Sequence, residues 1–289
     1  MRWFIPRLLT ALVAVTSPAV WACDAEALVA VPEPQRVTTT HLLALRTCLA
    51  SPDPAVRDDF AYARFVAVMR SGEVSPDTLE TLLADFVFRL SVPERGGDGF
   101  EAPFLVLVLA EIARVDRVSP YLDDKRRKLL VDAAWRYLRG VTDYRGFKDG
   151  EGWRHGVAHG ADLAMQLALN PELSAEQGAQ LLAAIATQVA PASGHNYVFN
   201  EPGRLARPVF FHAMNKRVSA ETLDTFFSAL TPDAGQPLWQ SPYGSEAGLA
   251  ALHNTRAFAQ ALYVYTATSP SEQAAALKAR AEALIRALP

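Results

Sequence analysis

The chain has 289 residues, of which 50% are hydrophobic, and a formal net charge of −3. A mildly acidic protein without a block of basic residues is a poor candidate for binding nucleic acid or an anionic membrane surface. The length is sufficient for a sizeable hydrophobic core, either as one large domain or as an array of repeats.

Residues 1–22 have the layout of a secretory signal peptide. Two arginines accompany an apolar run over residues 8–15, and the small residues Val20 and Ala22 stand where a signal peptidase accepts them. The apolar run is too short to remain as a membrane anchor. We therefore expect an exported, periplasmic protein whose mature chain, residues 23–289, forms a single all-helical domain. No later stretch is long and apolar enough to predict an integral membrane segment.

The chain has two cysteines, Cys23 and Cys48. In an oxidising compartment an even pair is typical of a disulfide, which would tie the new N-terminus to a helix predicted near Leu42 to Leu49. The alternative is a lipoprotein anchored at Cys23. The bulky Trp21 stands where a lipoprotein signal usually has a small residue, and lipidation would leave Cys48 alone, so the sequence favours the disulfide.

Signals for the start of a helix recur along the chain. A Ser or Asp residue can cap the first free amides, and a following proline suits the first helical position. Ser174 with Gln177, and Ser269 with Glu272, also have the spacing of a capping box. The dipeptides that start helices in this way are Asp53-Pro54, Ser75-Pro76, Ser119-Pro120 and Ser269-Pro270.

Apolar residues between these starts recur at intervals of three and four, which is the period of a helix and not of a strand. The pattern predicts about ten to twelve helices joined by short connections. The fold class is therefore all-α, and a succession of helical hairpins is typical of an α–α superhelix, either a HEAT-like solenoid or an α/α toroid. Residues 51–90 resemble one repeat of HEAT type, and we expect a right-handed stack.

The polar cluster between Trp153 and Asp162 is the strongest candidate site. If the segment is helical from Trp153, then His155, His159 and Asp162 point within about 60° of one another. They could hold a divalent metal, or act as acid/base groups with Asp162 orienting His159. No glutamate follows His155, so the zinc-protease pattern is absent. A metal site, a metal-free ligand or catalytic pocket, and a purely structural polar network all remain open.

Two glycines, Gly156 and Gly160, lie inside the same predicted helix. Each costs roughly 1 kcal/mol relative to alanine. The close approach of another helix would offset that cost, and so would backbone contact with a ligand.

A second polar group contains Glu201, Arg204 and Arg207. The two arginines share a helix face and could clamp a carboxylate or phosphate, but we favour an ion pair with Glu201 that fixes the loop. Further candidate ligand-binding residues, if the fold brings them together, are Asp143, Arg145, Trp153 and Arg154.

Several aromatic residues lie in the loops on either side of the polar cluster, where they could line a pocket for a sugar or peptide or simply cover helix ends. They are Tyr144, Phe147, Trp153, Tyr197 and Phe199. Three other histidines stand apart: His212 and His253 are expected in the core, and His41 at the surface.

Three motifs resemble those of the bacterial domain-of-unknown-function family twenty-seven eighty-five, over most of the mature chain. The resemblance implies a helical fold and a shared site in which Trp-x-His and the later His and Asp fall on Trp153, His155, His159 and Asp162. It implies no reaction. Many members have an acidic pair before the arginine and lack an export signal, and this chain departs from them in both respects. The motifs are Asp143-Tyr-Arg-Gly-Phe, Gly152-Trp-Arg-His-Gly-Val-Ala-His-Gly-Ala-Asp162 and Glu201-Pro-Gly-Arg204-Leu.

Two functions from different classes fit the sequence. The first is a periplasmic binding or scaffold module with a central His/Asp/Arg pocket for a small anionic ligand or a peptide. The second is a hydrolase-like or lyase-like enzyme that uses His155, His159 and Asp162. We favour the first, because α-solenoids commonly bind ligands and no nucleophile elbow, phosphate-binding loop or dinucleotide fingerprint appears. A divalent metal is the only candidate cofactor, and the sequence does not indicate an oligomeric state.

Overall fold

The computed structural model describes Cys23 and residues 37–92, 97–232 and 237–289. The expected signal peptide, residues 1–22, lies outside the described residues. Within them the chain forms eleven α-helices and one small β-hairpin, so the all-α fold class is confirmed.

The elements are short and follow one another closely. The helices are α1 (Thr39–Leu45), α2 (Ala63–Arg70), α3 (Pro76–Leu90), α4 (Glu101–Val118), α5 (Asp124–Gly140), α6 (Gly156–Ala168), α7 (Ala175–Val189), α8 (Glu201–Met214), α9 (Ala220–Ser228), α10 (Glu246–Ala267) and α11 (Glu272–Ala287). A π-helical segment, Ala55–Tyr62, leads directly into α2, and 3₁₀ turns cover Arg46–Ala50 and Pro237–Gln240. The hairpin pairs β1 (Phe147–Lys148) with β2 (Gly152–Trp153).

Helix caps agree with the sequence at some starts and differ at others. Ser75 caps α3, and the capping box at Ser174 and Gln177 starts α7 as expected. The expected starts at Ser119 and Ser269 are wrong, because α5 and α11 begin a few residues later with Asp123 and Ser271 as their caps. The reason at Ser119 is tertiary: the buried Asp116 carboxylate accepts the backbone N–H groups of residues 121 and 122 and holds the segment as a turn.

The helices alternate between two layers. The even-numbered helices α2, α4, α6, α8 and α10 pack side by side in chain order, and the odd-numbered helices α1, α3, α5, α7, α9 and α11 form the second layer behind them. We call these the even layer and the odd layer. This alternation confirms the predicted stack of helical hairpins.

Helix α6 lies at the centre of the stack and contributes to two apolar clusters. Leu163 and Leu167 belong to the cluster around α1 to α5, and Val157, Ala161 and Ala164 belong to the cluster around α7 to α11. Such a helix is apolar on nearly all sides, which makes its few polar residues conspicuous. No helix in the described part of the chain could span a bilayer.

Cys23 and Cys48 form a disulfide, with their Cα atoms 4.7 Å apart. The predicted pairing is therefore confirmed. A sulfur in a disulfide cannot also carry a thioether lipid, so the bond argues against the alternative of a lipid anchor at Cys23.

Replacing both Cys23 and Cys48 by serine is expected to lower the free energy of unfolding by about 3 kcal/mol, because the bond restricts the unfolded chain across a separation of 25 residues. Urea denaturation at pH 7.5 measures the change, and reduction of the wild-type protein is the matched control. A loss below about 1 kcal/mol would show that the bond contributes little.

Candidate functional site

The β-hairpin fixes the start of α6. Phe147 pairs with Trp153, and the pairing continues to His155, whose N–H donates to the carbonyl of Arg145 over 3.1 Å. His155 has a left-handed backbone (φ 52°, ψ 37°), and α6 begins only at Gly156. The expectation that the helix includes Trp153 is wrong, because the strand pairing takes up its backbone groups.

The three residues of the central motif make separate contacts. The His155 and His159 rings are close, with centroids 6.1 Å apart. The Asp162 carboxylate, however, accepts two hydrogen bonds from Arg204, and Nδ1 of His159 lies 3.2 Å from the carbonyl oxygen of Pro103. Asp162 therefore does not orient His159, which corrects that part of the acid/base hypothesis.

A metal on His155, His159 and Asp162 would require Asp162 to leave Arg204. Among the residues that the structure describes, no group of three or more His, Cys, Asp or Glu side chains is placed to hold a metal ion. The metal-ligand and catalytic roles of these three residues stay predictions.

Burial keeps both histidines uncharged. It lowers the pKa of His155 to about 4, with the charge of Arg204 acting in the same direction and a backbone contact at Phe199 opposing it. Burial lowers the pKa of His159 to about 3, assisted by the charges of His155 and Arg204. Burial also raises the pKa of Asp162, while Arg204 lowers it. At neutral pH the imidazoles are therefore neutral hydrogen-bonding groups.

Glu201, the first residue of α8, faces His155 and not the arginines. Its Oε1 lies 3.6 Å from Nε2 of His155, and its Oε2 accepts the Phe199 N–H over 2.9 Å. Burial raises the pKa of Glu201. Nε2 of His155 is buried and has no hydrogen-bond partner. The expected ion pair between Glu201 and Arg204 is wrong, because Arg204 bonds Asp162.

Arg145 and Arg154 come together, but away from α8. Both donate to the carbonyl of Asp98, over 3.1 and 2.7 Å. Arg145 also binds Asp143, and Arg154 binds Glu151 over 2.8 Å. These contacts fasten the hairpin to the loop before α4, so the two arginines do not join a clamp with Arg204.

Arg57 was not among the predicted site residues, yet its side chain contacts the hairpin and the residues before α4. It is fully buried, and its guanidinium lies 3.9 Å from the Phe100 ring centroid, with the Arg154 guanidinium 4.0 Å from the same centroid. It also donates to the carbonyl of Glu151 over 2.9 Å. No local pattern in the sequence indicates a buried arginine at this position.

The two glycines of α6 lie against α5. A Cβ on Gly156 would stand 2.9 Å from the Tyr137 hydroxyl, and one on Gly160 would stand 2.7 Å from a Leu138 methyl. The predicted close approach of another helix is confirmed. Because Gly160 faces α5, Asp162, about 160° away around the helix, points to the opposite side of α6.

Charged residues from three neighbouring helices gather around Asp162 on that side of α6. Arg70 of α2 donates to both carboxylate oxygens of Glu111 on α4, over 2.9 and 2.6 Å. Arg207, one turn after Arg204 on α8, is close enough to lower the pKa of Asp162. We call this set the charged face: Arg70, Glu111, Asp162, Arg204 and Arg207.

Tyr62, in the π-helical segment, lies among the charged residues. Burial and the charges of Glu111 and Asp162 raise its pKa to about 12, while Arg70 and Arg204 lower it. Tyr62, Arg70 and Glu111 were missed in the sequence, because their proximity to Asp162 depends on contacts between distant helices.

The loop aromatics gather beside the hairpin. The Trp153 ring is stacked on His155, with centroids 4.6 Å apart, and the centroids of Phe147 and Phe199 lie 5.1 and 5.6 Å from that of Trp153. The ring centroids of Tyr144 and Tyr197 are 6.0 Å apart. The loop aromatics therefore form two contacting sets, one around Trp153 and one that pairs Tyr144 with Tyr197.

The remaining histidines divide between core and surface. His212 is fully buried, as expected, whereas His253 is exposed on α10, so its expected core position is wrong. His41 is half-buried and bonds Thr38 in the capping box of α1.

Comparisons with known proteins agree with these motifs. Neither the curated proteins nor the solved structures contain a match to the chain. Residues 91–264 match the family described as "Protein of unknown function (DUF2785)", a stretch that contains the hairpin, α6 and the arginines of α8. Because the match covers more than half of the sequence, the chain belongs to the DUF2785 family.

Proposed function

We propose that the protein is an exported, periplasmic helical-repeat module that binds an anionic ligand, such as an acidic peptide segment, on its charged face. One observation carries the proposal: on this face Arg70, Arg204 and Arg207 outnumber Glu111 and Asp162, although the chain as a whole is acidic. A local excess of positive charge on an acidic protein favours a negatively charged partner.

Arg207 is the residue best suited to bind the anion. Arg70 and Arg204 already bond carboxylates, whereas no described carboxylate is hydrogen-bonded to Arg207. A guanidinium can bind a carboxylate or phosphate through two parallel hydrogen bonds. Arg204 is 30% exposed at its side chain and could provide a further donor from the same helix face.

Tyr62 adds a neutral donor to the same face. A tyrosine is protonated at neutral pH, and burial and the neighbouring carboxylates raise the pKa of Tyr62 further, to about 12. Its hydroxyl can therefore donate a hydrogen bond to an oxygen of the bound anion.

Replacing Arg207 by glutamine is expected to weaken binding of a fluorescein-labelled hexaglutamate peptide by about ten- to a hundredfold, since a hydrogen bond to a charged group contributes roughly 1.5–3 kcal/mol. Fluorescence anisotropy at low and physiological salt measures the affinity. The matched control is Arg286→Gln on α11, whose side chain is 69% exposed. The proposal would be contradicted if the wild-type protein did not bind hexaglutamate. It would also be contradicted if the Arg207→Gln variant bound the peptide with the affinity of the wild type.

The alternative function is acid/base hydrolysis by His155, His159 and Asp162. The contact of His155 with Glu201 supports it, because buried groups with shifted pKa values often mark catalytic sites. Mass spectrometry of hexaglutamate after incubation separates the two functions. Cleavage by the wild type that is lost in His155→Gln would favour the enzyme, and intact peptide with measurable binding would favour the binding module.

A further inference from the structure

Two arginine–carboxylate pairs on the charged face have the same form. Arg70 of α2 donates from Nε and Nη2 to the carboxylate of Glu111 on α4. Arg204 of α8 donates from Nε and Nη2 to the carboxylate of Asp162 on α6. In the described part of the chain, no acceptor is bonded to Nη1 of either arginine. Each guanidinium therefore keeps one nitrogen, with its N–H groups, for a ligand.

The carboxylates of the two pairs lie below the surface, and the arginines lie at it. The side chains of Glu111 and Asp162 are 8% and 13% exposed, whereas those of Arg70 and Arg204 are 50% and 30% exposed. Each carboxylate accepts two charge-assisted hydrogen bonds, so much of its negative charge is balanced. An approaching ligand therefore meets the N–H groups of the arginines before it meets a carboxylate.

The two pairs lie side by side across the even layer. Because α2, α4, α6 and α8 pack in chain order, Arg70 approaches Glu111 from one side, and Arg204 approaches Asp162 from the other. The axes of packed helices are about 8–10 Å apart. The two guanidinium groups are therefore separated by about one helix spacing or more, and a single carboxylate or phosphate group is too small to reach both.

Two further side chains add donors to the pairs. Arg207 follows Arg204 by one turn of α8 and is close enough to lower the pKa of Asp162. Tyr62 lies near both pairs, because the charges of all four paired residues act on its pKa. The face therefore has two arginines at its α8 end, one at its α2 end and a neutral hydroxyl near both pairs.

We infer that the charged face binds two separated acidic side chains of one extended peptide. One carboxylate of the peptide lies at Arg204 and Arg207, and the other lies at Nη1 of Arg70. In an extended chain, side chains two residues apart point to the same side about 7 Å from each other, and those four apart are about 13 Å from each other. Such distances span one helix spacing or more. The inference rests on the proposed anion binding and specifies the class of anion.

Competition against fluorescein-labelled hexaglutamate, measured by anisotropy at one ionic strength, tests the inference. The competitors are three acetylated and amidated peptides of serine and glycine. The first contains one glutamate, the second contains two glutamates separated by one residue, and the third contains two separated by three residues. We expect the better two-glutamate peptide to compete at a concentration about tenfold or more below that of the one-glutamate peptide, since its second carboxylate binds within the same molecule.

Two substitutions in one pair should change this advantage in opposite directions. Arg70→Gln should abolish the advantage and change the affinity of the one-glutamate peptide much less. Glu111→Gln, which keeps the side-chain volume and removes the opposing charge from Arg70, should increase the advantage. General damage to the fold cannot produce both results. The matched control is Arg286→Gln on α11, whose side chain is 69% exposed.

Two results would overturn the inference. The first is competition by the one-glutamate and two-glutamate peptides at equal concentrations on the wild-type protein, a comparison that needs no variant. The second is an advantage that persists in full in an Arg70→Gln variant that melts cooperatively. In both cases, hexaglutamate binding that depends on Arg207 would leave the proposed function standing. Absence of hexaglutamate binding would instead remove the proposed function, and the inference with it.

Discussion

Replacing Arg57 by methionine is expected to lower the free energy of unfolding by about 3 kcal/mol, because two carbonyl groups lose their hydrogen bonds to a charged donor. Arg57 is fully buried, donates to the carbonyls of Ser51 and Glu151 over 2.9 Å each, and lies 2.6 Å from Asp58. Methionine keeps much of the packing on Phe100 but leaves these acceptors without a donor. The loss should therefore come from hydrogen bonding and charge, not from a cavity.

Urea denaturation measures this loss, and Arg286→Met is the matched control. Surface substitutions usually change stability by no more than about 0.5 kcal/mol. Because Arg57 joins the π-helical segment to the hairpin through Glu151, amide hydrogen exchange around β2 should also become faster in the variant. A loss under about 1 kcal/mol would mean that water replaces Arg57 without difficulty.

The layered fold could be predicted because its signals are local. The spacing of apolar residues and caps such as Ser75 and Ser174 depend only on residues close together in the chain. A single sequence is therefore enough to recognise these signals. The start of α6 could not be predicted in the same way. The chain around Trp153 has an acceptable helical pattern, and only the pairing with Phe147 shows that it is a strand.

The partners of the charged residues are non-local and could not be read from the sequence. Arg204 bonds Asp162, 42 residues earlier, and Arg70 bonds Glu111, 41 residues later. From the sequence, Glu201 is the carboxylate nearest to Arg204 and is therefore the expected ion-pair partner. In the structure Glu201 lies beside His155 instead, because α6 and α8 are neighbours in the even layer.

Acidification from pH 7.5 to pH 5 is expected to destabilise the fold, with each buried histidine contributing about 2 kcal/mol. Burial lowers the pKa of His155 to about 4 and those of His159 and His212 to about 3, from an ordinary value of 6.5. Because the folded pKa lies below the unfolded one, protonation favours the unfolded chain. Stability is therefore lost as the pH falls below about 6.5, and the loss continues down to the folded pKa values.

Buried carboxyl groups act in the opposite direction and offset part of this loss. Burial raises the pKa values of Asp58, Asp162 and Glu201, so their protonation favours the folded chain as the pH falls. The net acid response of the wild type is therefore smaller than the sum of its histidines. The contribution of histidine protonation is therefore best measured at one buried histidine that is not in contact with these carboxyl groups.

His212→Phe is expected to remove about 2 kcal/mol of the acid loss at pH 5 while changing stability little at pH 7.5. His212 is fully buried, both of its ring nitrogens lack partners, and the charge of Arg217 further lowers its pKa. Phenylalanine keeps a planar ring at this position without a titrating group. Urea denaturation at pH 7.5 and pH 5 measures the difference, with His253→Phe on the exposed side of α10 as the control. If His212→Phe lost stability on acidification as steeply as the wild type, protonation of His212 would not contribute to acid unfolding, and the response would have to come from His155 and His159 beside the hairpin.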